Sequence, residues 1–165
     1  MTDDLTGHAQ PMTDQPDGPG KRIGKKGELT IVTPLTPNGG KIFRERQADI
    51  QAKAGYWEPI VATVENFRIQ LFDDDTRMII TLVYDGDFLP YLADIGRAHP
   101  WLDELFLDVV DGYKGYNDPG TKDLVVSRSY SADVFFHANP DKTVNDVKKM
   151  SRLSDAFAEM LDAAS

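Results

Sequence analysis

The sequence predicts a single α+β domain, and three observations carry that prediction: two long stretches of alternating polarity around a hairpin turn, apolar stripes at helical spacing on either side of them, and an ordinary globular composition. The chain has 165 residues, 41% hydrophobic and 27% charged, about one domain's worth by length. No internal repeat appears. Lys and Arg number 18 against 27 Asp and Glu, for a net charge of -9, which argues against a phosphate-neutralising surface and hence against nucleic acid. With no cysteine, disulfides, thiolate metal sites and Cys nucleophiles are ruled out. The longest apolar stretch, Met78 to Tyr84 interrupted by Thr81, is far below the roughly 18 residues of a membrane span. The polar N-terminus also lacks the apolar core of a signal peptide. A cytoplasmic protein that engages no membrane is expected.

Residues 1–27 hold one Leu, one Ile and no aromatic side chain, too little apolar surface to offset ordering entropy. They are expected to form a disordered tail before a domain at 28–165. The tail's acids Asp3, Asp4, Asp14 and Asp17 cancel Lys21, Arg22, Lys25 and Lys26. Glu28 to Leu35 alternates as a first strand and stops at Pro34, Pro37, Asn38, Gly39 and Gly40. Lys41 to Ala54 is rich in helix formers, with Phe43, Ile50 and Ala54 on one stripe and Gly55 as its expected end. Val61 to Phe72 and Arg77 to Tyr84 read as a hairpin around Asp73, Asp74, Asp75 and Thr76. Phe88, Tyr91, Leu92 and Ile95 recur at helical spacing, and Pro90 is tolerable in a first turn. A second short helix is predicted from Trp101 to about Val110. Asp111 to Lys122 reads as a long loop, Asp123 to Val126 as a short strand or extended passage, and Ser131 to Asn139 as the last strand, ended by Pro140. Thr143 and Asp146 stand at capping-box spacing before a final helix through Val144, Val147, Met150, Leu153, Phe157 and Leu161.

The order β, α, β, β, α, β is the split βαβ arrangement of a ferredoxin-like sheet with helices on one face, followed by an extra C-terminal helix. The other face would still carry apolar side chains that a partner sheet normally hides, so a homodimer is expected. On the long second strand, Arg68 flanked at two-residue spacing by Asn66 and Gln70 makes a donor row suited to an anionic group. The plainer role is a snorkelling surface arginine. Trp101, Phe106, Tyr113 and Tyr116 cluster in and around the long connector, and Tyr113 and Tyr116 are read as a lid over a cavity, against simple core packing. The pairs Asp85/Asp87 and Asp103/Glu104 are better explained by turn and helix-start chemistry than by acid–base catalysis. Asp73 to Asp75 belong at a hairpin tip and lack calcium-loop spacing. Gly20, Gly24 and Gly27 follow no predicted strand, and no phosphate-binding or H-E-x-x-H string occurs.

The strings FRIQLFDDDTRMIITLVYDGDFLPYLADI and ADVFFHANPDKTVNDVKKMSRLSDAFAEMLD resemble the dimeric α+β barrel (ferredoxin-like) superfamily, and within it bacterial proteins labelled peroxidase-like or of unknown function. The likeness spans roughly Glu28 to Asp162. It rests on the first strand ending at Pro34, Arg68 in the second, the Tyr84-Asp85-Gly86 step into a helix, the Tyr91 to Ile95 helix, and the Thr143 to Val147 start of the last helix. Such proteins commonly carry a His three residues before that Arg, where this chain has Glu65. The resemblance implies a dimer whose sheets enclose a chamber lined by Arg68, Asn66 and Gln70. It also implies haem as the cofactor to consider, because His99 in GRAHPW is similar in placement to the axial ligand of haem-degrading monooxygenases of that superfamily. His137 is the second metal-ligand candidate; His8 lies in the tail. The leading expectation is a homodimer binding a small organic ligand in an apolar pocket between sheets, oriented by Arg68 and closed by Tyr113 or Tyr116. The alternatives are a haem-dependent peroxidase- or monooxygenase-like enzyme with Arg68 as distal group, and an adaptor acting through residues 1–27.

Overall fold

The computed structural model describes residues 10–164, so the first nine residues, His8 included, lie outside the description. The elements are β1 (Met12–Asp14), β2 (Lys21–Ile23), β3 (Lys26–Pro34), α1 (Gly39–Trp57), β4 (Val64–Phe72), β5 (Arg77–Asp85), α2 (Phe88–Ile95), a 3-10 turn (Gly96–Ala98), α3 (His99–Phe106), α4 (Thr121–Ser127), β6 (Ser129–Tyr130) and α5 (Val144–Ala164). The strands make one antiparallel sheet in the order β1-β2-β3-β5-β4, with β6 also paired to β3. The protein is thus a mixed α+β fold with an antiparallel sheet.

The central hairpin forms as its alternation predicts. β4 and β5 pair from Val64↔Tyr84 to Phe72↔Arg77, with one irregularity at Val64/Asn66, and Asp73, Asp74 and Asp75 turn the chain with φ of 58°, 53° and 58°. Asp is among the few non-glycine residues that tolerate this left-handed region. β3 pairs the other edge of β5 along its whole length. Leu29, Met78, Ile80, Leu82 and Tyr84 point to one side, where they pack with Phe43 and Ile50 of α1, Phe88, Tyr91 and Ile95 of α2, and Leu102 and Leu105 of α3. Tyr84 and Phe88 are fully buried, and an apolar side chain such as that of Phe88 contributes roughly 1.5–3 kcal/mol of transfer free energy. α1 starts earlier than expected and runs through Gly55. A Cβ on Gly39 would meet the Val109 carbonyl oxygen at 2.2 Å, and one on Gly40 the Asp75 carbonyl oxygen at 2.4 Å, so close packing demands glycine where the helix begins. Gly55 faces open space with no positive φ, and a mid-helix glycine costs only about 1 kcal/mol.

Several expectations are corrected. The part of residues 1–27 that is described is no disordered tail. β1, β2 and the start of β3 are built there, with β2 pairing Gly27 and Lys26. Composition missed this because the segment takes its order from the rest of the chain. Asp17 accepts hydrogen bonds from the backbone N–H groups of Phe88 (2.9 Å) and Leu89 (3.0 Å), Gln15 donates to the Gly86 carbonyl (3.3 Å), and Arg22 is paired with Asp87. A Cβ on Gly18 would strike the Phe88 ring at 2.2 Å, which is why glycine stands at that crossing.

The last strand predicted at Ser131–Asn139 is not one. Only Ser129 and Tyr130 pair, with Ile31 and Thr30, because β2 already occupies the far end of the same edge of β3. Asp123–Val126 is helical within α4, and the helix predicted from Trp101 to Val110 runs His99–Phe106 instead.

Candidate functional site

Two concavities lie on the helix-covered side of the sheet. The first has a volume of about 90 Å³ and is bounded by the inner face of β3 and β5 (Leu29, Ile31, Ile80, Leu82), by Phe67 of β4, by α2 and α3, and by the connector and α4. Its lining is almost wholly apolar, with Arg128 as its one charged member among the described residues. The second is a groove of about 570 Å³ between α1, β4 and α3, with Phe43, Ile50, Trp57, Phe67 and Trp101 on its walls and Gln47, Gln51, Glu58 and Glu65 among its polar positions.

The connector is pinned beside the first cavity through Asp103. That carboxylate accepts the Tyr113 hydroxyl at 2.7 Å and the Tyr116 backbone N–H at 2.8 Å. The Tyr116 hydroxyl donates to the Leu92 carbonyl, and Thr121 donates to the Gly115 carbonyl at 2.6 Å. Burial, and then the hydrogen bond to Asp103, push the Tyr113 hydroxyl well above its ordinary pKa; burial also raises that of Tyr116. Both are neutral donors at physiological pH, and both are engaged by the protein. Arg128 donates through Nη1 to the Thr33 hydroxyl (2.6 Å) and the Asp111 carbonyl (2.7 Å). These bonds hold a cation at the edge of an oily space, where an acceptor or anionic group gains most from it.

The predicted site residues divide between the two faces of the sheet. Tyr113 and Tyr116 line the cavity. Arg68, Asn66 and Gln70 are exposed on the opposite face, so the five do not meet within one chain. Strand alternation requires this: Phe67 points into the cavity, and its neighbours Asn66 and Arg68 therefore point away. Arg128 escaped the sequence reading, and Leu92 and Ile95 were read only as one face of a helix, not as cavity lining. Arg128 follows a stretch expected to be extended, and only α4 and the Thr33 contact bring it to the cavity.

His99 opens α3 and its Nδ1 lies 3.3 Å from the Gly96 carbonyl. His137 lies 2.9 Å from both carboxylate oxygens of Glu65. Neither lines either concavity. Among the described residues no group of three or more His, Cys, Asp or Glu is placed to hold a metal ion. The acidic pairs have structural partners: Asp85 holds Lys26 at 2.6 Å and the Val144 N–H at 2.7 Å, Asp87 pairs with Arg22, and Glu104 holds Lys53 at 2.8 Å. Asp75 of the hairpin tip is gripped by Arg44 through two bonds of 2.8 and 2.9 Å. No protein-family model and no curated protein matches the chain. Among the described residues no helix is long and apolar enough to cross a membrane.

Proposed function

We propose that the protein binds a small organic molecule with an apolar body and one anionic or hydrogen-bond-accepting end, in the cavity between the sheet and α2–α4. The observation that carries this reading is the contrast between an apolar lining and the single guanidinium of Arg128 at its edge. One water needs roughly 10–15 Å³ on the same measure, so about 90 Å³ suits a compact ring or short chain, with the remainder of the molecule outside. Tyr113 and Tyr116 act as walls fixed by Asp103 and Leu92, and Arg128 takes the orienting role first assigned to Arg68. The wider proposal is a homodimer of ferredoxin-like subunits. Supporting the subunit topology are α1 crossing from β3 to β4 with β5 between them, and β6 on the far edge of β3 where a fourth strand belongs.

The test uses benzoate and benzyl alcohol as matched probes in a methyl-detected NMR titration. Both are expected to perturb Leu29, Leu82 and Leu102. Arg128→Gln is expected to weaken benzoate by about tenfold, the worth of one charge-assisted hydrogen bond, while leaving benzyl alcohol unchanged. Absence of any perturbation at millimolar probe, or equal loss of both probes, overturns the reading.

A further inference from the structure

We propose that the molecule bound in the cavity is a two-ended aromatic acid: one benzene ring with a carboxylate at one end, held by Arg128, and a hydroxyl or carbonyl at the other, held by the Tyr91 hydroxyl. This rests on the small-molecule reading above and names its ligand class. Tyr91 is 5% exposed and lines the cavity. Its ring is fixed by stacking on Tyr84, with centroids 4.2 Å apart and planes at 22°. Burial keeps its hydroxyl protonated far above the ordinary pKa, so it is a neutral donor. Yet among the described residues that hydroxyl has no hydrogen-bond partner, whereas Tyr113 is engaged by Asp103 at 2.7 Å and Tyr116 by the Leu92 carbonyl. A buried hydroxyl left unpaired is unfavourable and uncommon in native folds. A polar group brought in by a ligand would satisfy it.

The two polar groups stand at opposite ends of one strip of sheet. Arg128 spends Nη1 on Thr33 and Asp111, which leaves Nε and Nη2 without a partner among the described residues and free to grip a carboxylate. Thr33 pairs with Met78 at this end of the strip. At the other end Leu29 pairs with Leu82, and Tyr84, on which Tyr91 is stacked, lies two residues beyond Leu82. From Leu29 to Thr33 the strand advances about 13 Å, and hydrogen bonds of about 2.8 Å at each end leave roughly 7 Å between the ligand's terminal oxygens. One para-substituted ring spans that gap. Phe67 and Phe106 are among the walls, and flat aromatic faces suit a planar ring. Because the lining between the ends is apolar, a polyol or amino acid would leave polar groups unpaired there.

Isothermal titration calorimetry of the full chain with 4-hydroxybenzoate and 4-methylbenzoate compares two acids of nearly the same shape that differ by one hydrogen-bonding group. 4-Hydroxybenzoate is expected to bind wild type about tenfold more tightly. Tyr91→Phe keeps the ring and its stacking, and is expected to erase that preference, the two acids then binding alike. Arg128→Gln is expected to weaken both by similar factors. Equal binding of the two acids to wild type, a comparison that needs no variant, overturns the two-ended ligand and leaves the small-molecule cavity standing. A preference that persists in Tyr91→Phe overturns Tyr91 as its source. If neither acid binds at millimolar concentration, the cavity reading falls and this proposal with it.

Discussion

Lys26 shows how a charge from a segment expected to be a flexible tail becomes part of the interior. Its side chain is 1% exposed, with Nζ 2.6 Å from Asp85 and 2.9 Å from Glu65. Leaving one partner of such a buried pair behind costs about 3–5 kcal/mol. Burial on its own would raise the Glu65 carboxyl, but hydrogen bonds from Lys26 and His137 outweigh it and hold the group below its ordinary 4.5. A lowered folded pKa means that this contribution is complete above about pH 4.5 and is lost as pH falls through the folded value. For Lys26 burial is likewise opposed, and outweighed, by Asp85 and Glu65, so the ammonium is held above its ordinary 10.5. Its contribution is complete below pH 10.5 and lost above it. Urea midpoints measured from pH 7 to pH 3 for wild type and Glu65→Gln are therefore expected to differ at neutral pH and converge in acid. A gap of the same size at pH 7 and pH 3 would show that the Glu65 charge is not what matters.

At the scale of elements, the hairpin β4–β5, the helices α1 and α2 and the capped α5 were legible because each carries its own period and its own stop signals. Three features were not: two owe their form to distant contacts and one to a local helical turn that overrides its strand-like composition. The N-terminus of α2 is capped by Asp17, 71 residues upstream of Phe88. Asp17→Ala is expected to cost about 1 kcal/mol, as loss of an N-cap does, and Asp17→Asn less, because it keeps an acceptor; urea unfolding measures both. Residues 123–126 are apolar enough for a strand, but the hydrogen bond from Leu124 N–H to the Gly120 carbonyl (3.0 Å) draws them into α4. Val134 and Phe136 alternate as strand residues should, yet stand 87% and 82% exposed, since the strand they would extend already has β2 at its side.

For the whole molecule, the sheet's second face is less oily than its composition promised. The cross-strand rows Glu28–Val83–Asn66, Thr30–Thr81–Arg68 and Val32–Ile79–Gln70 include only Val32, Val83 and Ile79 as apolar members, and an antiparallel sheet can turn such a face to water. The larger unburied apolar surface is on α5. The N-terminal segment is correspondingly an integral part of the fold: removing residues 1–23 takes away β1, β2, the Asp17 cap and the Arg22–Asp87 pair. That deletion is expected to lower the melting temperature by at least about 5 °C, whereas a dispensable tail would leave it unchanged in a calorimetric scan.

Alternation and helical spacing alone determined the α+β class, the central hairpin and the long helices, because local periodicity dictates which side chains share a face. Tertiary structure alone decided which face the helices cover. That choice sends Arg68 to the outside, brings Arg128 to the cavity and locks residues 10–27 into the sheet. The physical reason is that burial and long-range hydrogen bonds depend on which segments meet in space, and no local pattern encodes that meeting.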